Sequence, residues 1–256
     1  MYFFKRFLAR KVVADLGCGY GFSTFYVSDE CSRITGYDID WRAIQTAKAL
    51  KDRFGITNVD FVWHQPYKTN APRKFYDVVI SSEVLEHVYH PDLYLTEANS
   101  MCVNGGLLLL STPNGLASRG EPNIIKRHSP FHVAEYTPFE LQRLLQRAGF
   151  EILEIYSQVI AANDKQSNDI TKTKDALKIA YIDLVTRVYL RYAFSDKVGP
   201  VIAHLRGVYS RWRDFLSMVK RGNKLDTWRI YPASLDGITA SNCNAIILIC
   251  RKINEL

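Results

Sequence analysis

The chain has 256 residues, 47% of them hydrophobic, and a formal net charge of +7. That length suits one domain with an elaboration, and that hydrophobic share excludes a largely disordered chain. No apolar run approaches the roughly 18 residues that a membrane-spanning helix needs, so no transmembrane segment is expected. The opening Met1-Tyr-Phe-Phe-Lys-Arg-Phe-Leu8 meets charge too early for a signal peptide. Five cysteines, odd in number and without C-x-x-C spacing, read as reduced thiols of a cytoplasmic protein.

The first strand is expected over Lys11–Leu16. It runs into Asp15-Leu-Gly-Cys-Gly-Tyr-Gly21 and then the helical pattern Phe22–Val27. Three glycines in five residues let the backbone approach a ligand closely, and the helix start turns N–H groups towards it. A dinucleotide loop reads G-x-G-x-x-G, whereas this one reads G-x-G-x-G with an acid, Asp15, before the turn. A carboxylate there disfavours a pyrophosphate and favours an amine-bearing or cationic ligand such as S-adenosylmethionine. The second strand, Arg33–Asp38, ends in an acid at the interval usual for a carboxylate that accepts from a ribose diol. Asp40 reads as the N-cap of a helix over Trp41–Lys51. Further strands are expected over Val59–His64, Asp77–Ser81, Leu107–Ser111 and Phe150–Ser157. Thr137-Pro138 starts the helix before the last of these, and Asn244–Cys250 supplies a seventh strand near the C-terminus. Strand and helix patterns alternate, which predicts an α/β fold with a parallel sheet.

The stretch Asp15–Gly21 with Asp38 resembles the cofactor-binding motifs of the class I S-adenosylmethionine-dependent methyltransferases. The resemblance implies a Rossmann-like seven-stranded sheet with helices on both faces. It places the core at 1–157 and 236–256, with a mainly helical insertion at 158–235. It also implies cofactor contacts from Asp15, Gly17, Cys18, Gly19, Gly21 and Asp38. Ile39 would pack on the adenine, with Gln65 and Ser81 bordering the cofactor. His64-Gln65 departs from the usual pattern, which carries Asp after the third strand. Gln65 still offers an amide oxygen to the adenine amino group. Trp63 reads as a core residue, with an edge contact to the adenine as the alternative.

Ser81-Ser-Glu-Val-Leu-Glu-His-Val88 follows the fourth strand. If helical, it would put Glu83, Glu86 and His87 on one face, at i, i+3 and i+4. With the later His132 this set is similar to that of the ubiquinone-pathway O-methyltransferases and the small-RNA 3′-end 2′-O-methyltransferases. The resemblance implies a divalent ion (Mg, Mn, Fe, Co or Zn) held by Glu83, Glu86, His87 and His132. Two carboxylates and two imidazoles suit such an ion, which lowers the pKa of a bound hydroxyl. Without metal, His87 or His132 is the candidate general base and Glu83 shapes the pocket.

From 172 to 229 there are 13 Lys and Arg against five Asp, so this one segment holds the whole basic excess. Two amphipathic helices, over Lys172–Phe194 and Val201–Lys220, are expected there as a substrate lid. Only ten residues precede the first strand, and the resemblance implies that the insertion provides the cover given elsewhere by N-terminal helices. The reading favoured is O-methylation of a small-molecule, glycan or lipid-linked hydroxyl, for an acceptor that can be anionic or lie at a membrane surface. One alternative is RNA 2′-O-methylation, which the basic insertion suits. The other is a non-catalytic protein that binds cofactor or a partner.

Overall fold

β1 (Val12–Leu16) is an apolar run whose last four residues are buried, as a central parallel strand covered on both faces requires. The computed structural model that shows this describes residues 2–67, 71–118, 131–161, 227–233 and 245–253. β2 (Arg33–Asp38), β3 (Val59–Trp63), β4 (Tyr76–Ser82) and β5 (Cys102–Pro113) join β1 in parallel. β6 (Phe150–Ala161) and β8 (Ala245–Lys252) complete the seven expected strands, with β8 antiparallel to both β5 and β6. The sheet order is β3-β2-β1-β4-β5-β8-β6-β7. The added edge strand, β7 (Thr227–Pro232), lies in the stretch expected to be insertion. Beyond its end, Ala233 N donates to Ile155 O at 2.8 Å.

The helices follow from local sequence. α1 (Phe22–Val27) leaves the glycine loop. α2 (Trp41–Phe54) runs one turn further than its apolar pattern suggests, to a left-handed Gly55, and Asp40 caps its start by accepting from Arg42 N at 2.9 Å. α3 (Pro91–Met101) has proline in its first turn and buries Tyr94, Leu95, Ala98 and Met101. After the single turn α4 (Gly115–Ser118) comes α5 (Pro138–Arg147). Thr137 and Glu140 form its reciprocal capping box, and Leu141, Leu144 and Leu145 are its buried stripe. The core joins these stripes to Val79, Leu108, Leu110, Phe150 and Leu248 of the sheet.

The N-terminal turn Tyr2–Phe7 buries Phe4 and is tied down by Lys5–Glu30 and Arg6–Glu154 ion pairs, at 3.3 and 3.0 Å. Packing divides the chain into Met1–Val159 with Arg229–Leu256, and Ile160–Trp228. The second unit lies almost wholly outside the described residues, and with it both amphipathic helices of the insertion. Among the described residues no helix is long and apolar enough to cross a membrane. Cys18, Cys31, Cys102 and Cys250 are free and buried.

Candidate active site

The strand order reverses between β1 and β4, and such a switch point opens a crevice at the C-terminal ends of the strands. The glycine loop forms one wall. Gly17, Gly19 and Gly21 have positive φ values of 72°, 53° and 79°, but they serve different ends. A Cβ on Gly17 would lie 2.5 Å from Val84, and one on Gly21 2.5 Å from Phe61. A Cβ on Gly19 would meet nothing within 4 Å. Gly17 and Gly21 are therefore required by the protein's own packing, while Gly19 borders open space that a ligand can enter. The Cys18 thiol packs inward against Gly36, and burial pushes its pKa far up. It is no nucleophile.

Asp38 closes the loop from below. Gly19 N donates to its Oδ2 at 2.7 Å, and Asp40 N to its Oδ1 at 2.8 Å. Each oxygen keeps a second lone pair, so the carboxylate can still accept from a diol. Asp15 is buried and accepts from Thr24 Oγ1 at 2.7 Å and Ser23 Oγ at 3.2 Å. Burial raises its pKa from 3.8 to about 6, against the opposing effect of those two hydroxyls. A cationic ligand group beside Asp15 would restore the ionised form.

On the far side of β2, Ile39 is 64% exposed and Trp63 is 44% exposed, with Trp63 Nε1 donating to Ile39 O at 2.8 Å. The expectation of a core Trp63 is corrected: the β3 end leaves this ring as an open apolar face. Gln65 is partly buried in the loop that follows. That loop is held by Glu97 of α3, whose oxygens bond His64 Nε2 at 2.9 Å and Tyr67 N at 3.1 Å. Ser81 does not show its hydroxyl to the crevice. It is fully buried and shares a 2.9 Å hydrogen bond with the Tyr94 hydroxyl.

After β4 the chain is not an α-helix. Glu83 has φ 56°, Val84 is non-helical, and only Leu85–His87 makes a 3-10 turn. The single-face argument for Glu83, Glu86 and His87 therefore fails, because a left-handed residue breaks the helical phase. Glu83 instead accepts from Ser111 Oγ at 2.9 Å. Desolvation raises its pKa, with Glu86 adding to the rise and the Ser111 hydrogen bond opposing it. Glu86 is buried and accepts from Thr112 Oγ1 at 3.0 Å.

The segment 131–137 returns alongside the end of β5, where Asn114 bridges Tyr136 in parallel. Glu86 O accepts from Val133 N at 2.7 Å and Ala134 N at 3.2 Å, and this brings His132 to the acid. One ligand atom each from Glu86, His87 and His132 lies within 4.8 Å of the others. The two imidazoles meet edge to face, with centroids 4.9 Å apart. His87 Nδ1 donates to Phe131 O at 3.0 Å, and His87 Nε2 is 3.7 Å from Glu86 Oε1. His132 Nδ1 is 2.6 Å from Glu135 Oε1. Both rings thus set Nδ1 against an acceptor, the pattern found in ligating histidines. Of the four residues expected to converge, three do. Glu83 stands outside that trio.

Ser111, Thr112, Glu97 and Glu135 have structural roles here that the motif reading did not give them. Ser111-Thr112 ends β5, where ligand-facing residues of a parallel sheet gather. Glu135 stands three residues after His132. The role of Glu97 is tertiary and leaves no local signal.

A glycine loop and an acid at consecutive strand ends, set on this sheet order, define a class I methyltransferase fold. A family model described as "Methyltransferase domain" matches residues 1–155. The chain belongs to this methyltransferase family, whose members use S-adenosylmethionine. It is similar to the Mycolicibacterium smegmatis protein named "Probable S-adenosylmethionine-dependent methyltransferase", 30% identical over 145 residues, covering 56% of this chain and 53% of that one. It is also 30% identical over 147 residues to the "Ubiquinone biosynthesis O-methyltransferase" of Cereibacter sphaeroides, covering 54% and 59%. The match spans about half the length of the curated relatives. Among solved structures, the "[4+2]-Cyclase SpnF" shares the fold with a TM-score of 0.56 at 17% identity, covering 97% of this chain and 76% of that one. The Bacillus subtilis YcgJ protein does so with a TM-score of 0.54 at 14% identity, covering 97% and 94%.

Proposed function

We propose that this protein transfers a methyl group from S-adenosylmethionine to a hydroxyl of a small-molecule, glycan or lipid-linked acceptor. The observation that carries the reading is the Glu86, His87 and His132 trio, set after β4 on the crevice that Asp15, Gly19 and Asp38 begin. On this reading Asp38 receives the ribose diol, and Ile39 and Trp63 offer apolar surface to the adenine. Gln65 accepts from the adenine amino group, and Asp15 faces the cationic tail. Transfer is an in-line displacement, and holding the acceptor oxygen against the sulfonium supplies most of the acceleration. Nothing in it calls for a protein nucleophile. The buried Cys18 offers none.

The donor set of Glu86, His87 and His132 fits a divalent ion. When bound, such an ion would lower the pKa of the acceptor hydroxyl. The chain's own contribution is to hold two imidazoles with Nε2 lone pairs beside a buried carboxylate. Without an ion, His132 Nε2 takes the acceptor proton. The test is methyl transfer from labelled cofactor to a panel of phenols, sugars and prenylated phenols, with and without chelator. Activity abolished by chelation and restored by one metal supports the ion, and unchanged activity removes it. If the cofactor shows no heat of binding by titration calorimetry, the non-catalytic reading takes over.

The basic run over 172–229 favours a second reading, an RNA hydroxyl as acceptor. RNA affinity should then fall steeply with salt, as phosphate contacts release counterions. An absence of RNA binding at low salt removes this reading. The same run would serve an anionic lipid surface, which vesicle sedimentation tests.

A further inference from the structure

We propose that Glu135 is a positioning residue that fixes His132 in the tautomer whose Nε2 carries the lone pair. The inference rests on the proposed reading of His132 but adds a residue to it. His132 and Glu135 side chains are 12% and 4% exposed, and Nδ1 and Oε1 are 2.6 Å apart. An ionised carboxylate only accepts, so the hydrogen of this short contact sits on Nδ1. A neutral imidazole has one N–H, and placing it on Nδ1 leaves Nε2 as the only basic atom.

The backbone holds Glu135 in place from two directions. On one side Val133 N and Ala134 N both donate to Glu86 O. On the other, Gly115 N donates to Tyr136 O at 2.9 Å, and a Cβ on Gly115 would lie 2.7 Å from Glu135 O. The chains approach so closely at Gly115 that the register of Glu135 is set by the end of β5. The adjacent ring is the contrast. His87 gives its Nδ1 hydrogen to a neutral carbonyl, Phe131 O, and its side chain is 44% exposed. A buried carboxylate holds a ring more firmly than a neutral carbonyl at an exposed side chain does, so the two histidines are not equivalent. His132 is the ring held this way, and Glu135 is the cause.

Glu135→Gln is the discriminating variant, because it keeps volume and burial while letting an amide N–H face Nδ1. That reversal favours the hydrogen on Nε2. The His132 tautomer is read by 15N NMR in the cofactor-free protein and with S-adenosylhomocysteine, at a pH where the imidazole is neutral. Wild type should show a protonated Nδ1, and E135Q a shift towards protonated Nε2. With that shift, kcat should fall by roughly 10–100-fold, the range usual for partners behind a ligating or catalytic His. The dissociation constant of S-adenosylhomocysteine should stay within about twofold, since Glu135 is not placed against the cofactor. An unchanged tautomer both in E135Q and in Glu135→Leu, which removes the acceptor facing Nδ1, overturns the proposal, even where kcat drops. An unchanged kcat beside an inactive His132→Asn variant also overturns it. If H132N instead keeps full activity, the reading of His132 in catalysis fails, and the tautomer measurement still decides what Glu135 does.

Discussion

Asp15 is a carboxylate that burial makes expensive to ionise. Its folded pKa of about 6 lies above the ordinary 3.8, so in the cofactor-free protein its charge opposes folding at neutral pH. That opposition is present above pH 6 and fades as pH falls towards 3.8, the reverse of a salt-bridged acid. The difference is about 3 kcal/mol at pH 7. Asp15→Asn should therefore raise the melting temperature of the cofactor-free protein at pH 7 and leave it little changed near pH 4. Cofactor binding should run the other way. A cationic tail selects the ionised form, so wild-type affinity by calorimetry should drop about tenfold per pH unit below 6, while D15N binds weakly and without that slope. A flat wild-type profile between pH 5 and 7 would refute the assignment of Asp15 to the cationic tail. The acid itself was plain in the sequence, from its place before the glycines. Its partners were not, because Ser23 and Thr24 reach it only once α1 has formed.

At the scale of elements, the glycine loop and the segment after β4 show what pattern reading can resolve. Glycine spacing located the loop, yet only packing separates its members. Gly21→Ala puts a methyl group into the Phe61 ring at a φ of 79° and should cost about 2 kcal/mol or more of stability, seen as a lower denaturation midpoint. Gly19→Ala meets open space, so it should cost nearer 1 kcal/mol of backbone strain and act chiefly on cofactor affinity. Equal loss of stability in the two variants would show that the loop does not divide in this way. The Glu83–His87 segment was legible as a site but not as a shape. Its i, i+3 and i+4 spacing suited a helix, and Glu83 at φ 56° broke it, because hydrogen bonds to Ser111 draw that residue onto β5. A left-handed glutamate carries no local signature. The α5 helix, with Thr137-Pro138 and Glu140 in plain order, was legible because its capping is made within the segment.

For the molecule as a whole, alternating periodicity gave the sheet, and apolar β-branched runs gave its central strands. The order of the outer strands rests on long-range pairing that no window of sequence contains. Lys252 illustrates this. It is buried near the end of β8, where its Nζ donates to Asn99 O at 3.1 Å and Cys102 O at 3.3 Å, satisfying carbonyls at the C-terminus of α3. In the sequence it reads as one more surface lysine. Lys252→Met keeps the stem but removes both of these hydrogen bonds, leaving Asn99 O its bond from Cys102 N, and it should lower unfolding free energy in urea by about 2 kcal/mol. A change below 0.5 kcal/mol would mean that the contact is not needed.

The placement of β8 also has a bearing on how this molecule is made. The strand sits between β5 and β6 and pairs with both, with one register shift against β6 between Ile152 and Glu154, although its start at Ala245 comes more than 80 residues after Ser157 of β6. Until those residues arrive, β5 and β6 present two unsatisfied edges facing one another across a missing partner. Such a nascent chain holds a completed nucleotide half beside an open seam, a state prone to sticking edge to edge. Closing the seam is a late, non-local step, and refolding from denaturant should show a slow phase. A refolding trace with a single fast phase would mean that the seam closes as early as the rest of the sheet.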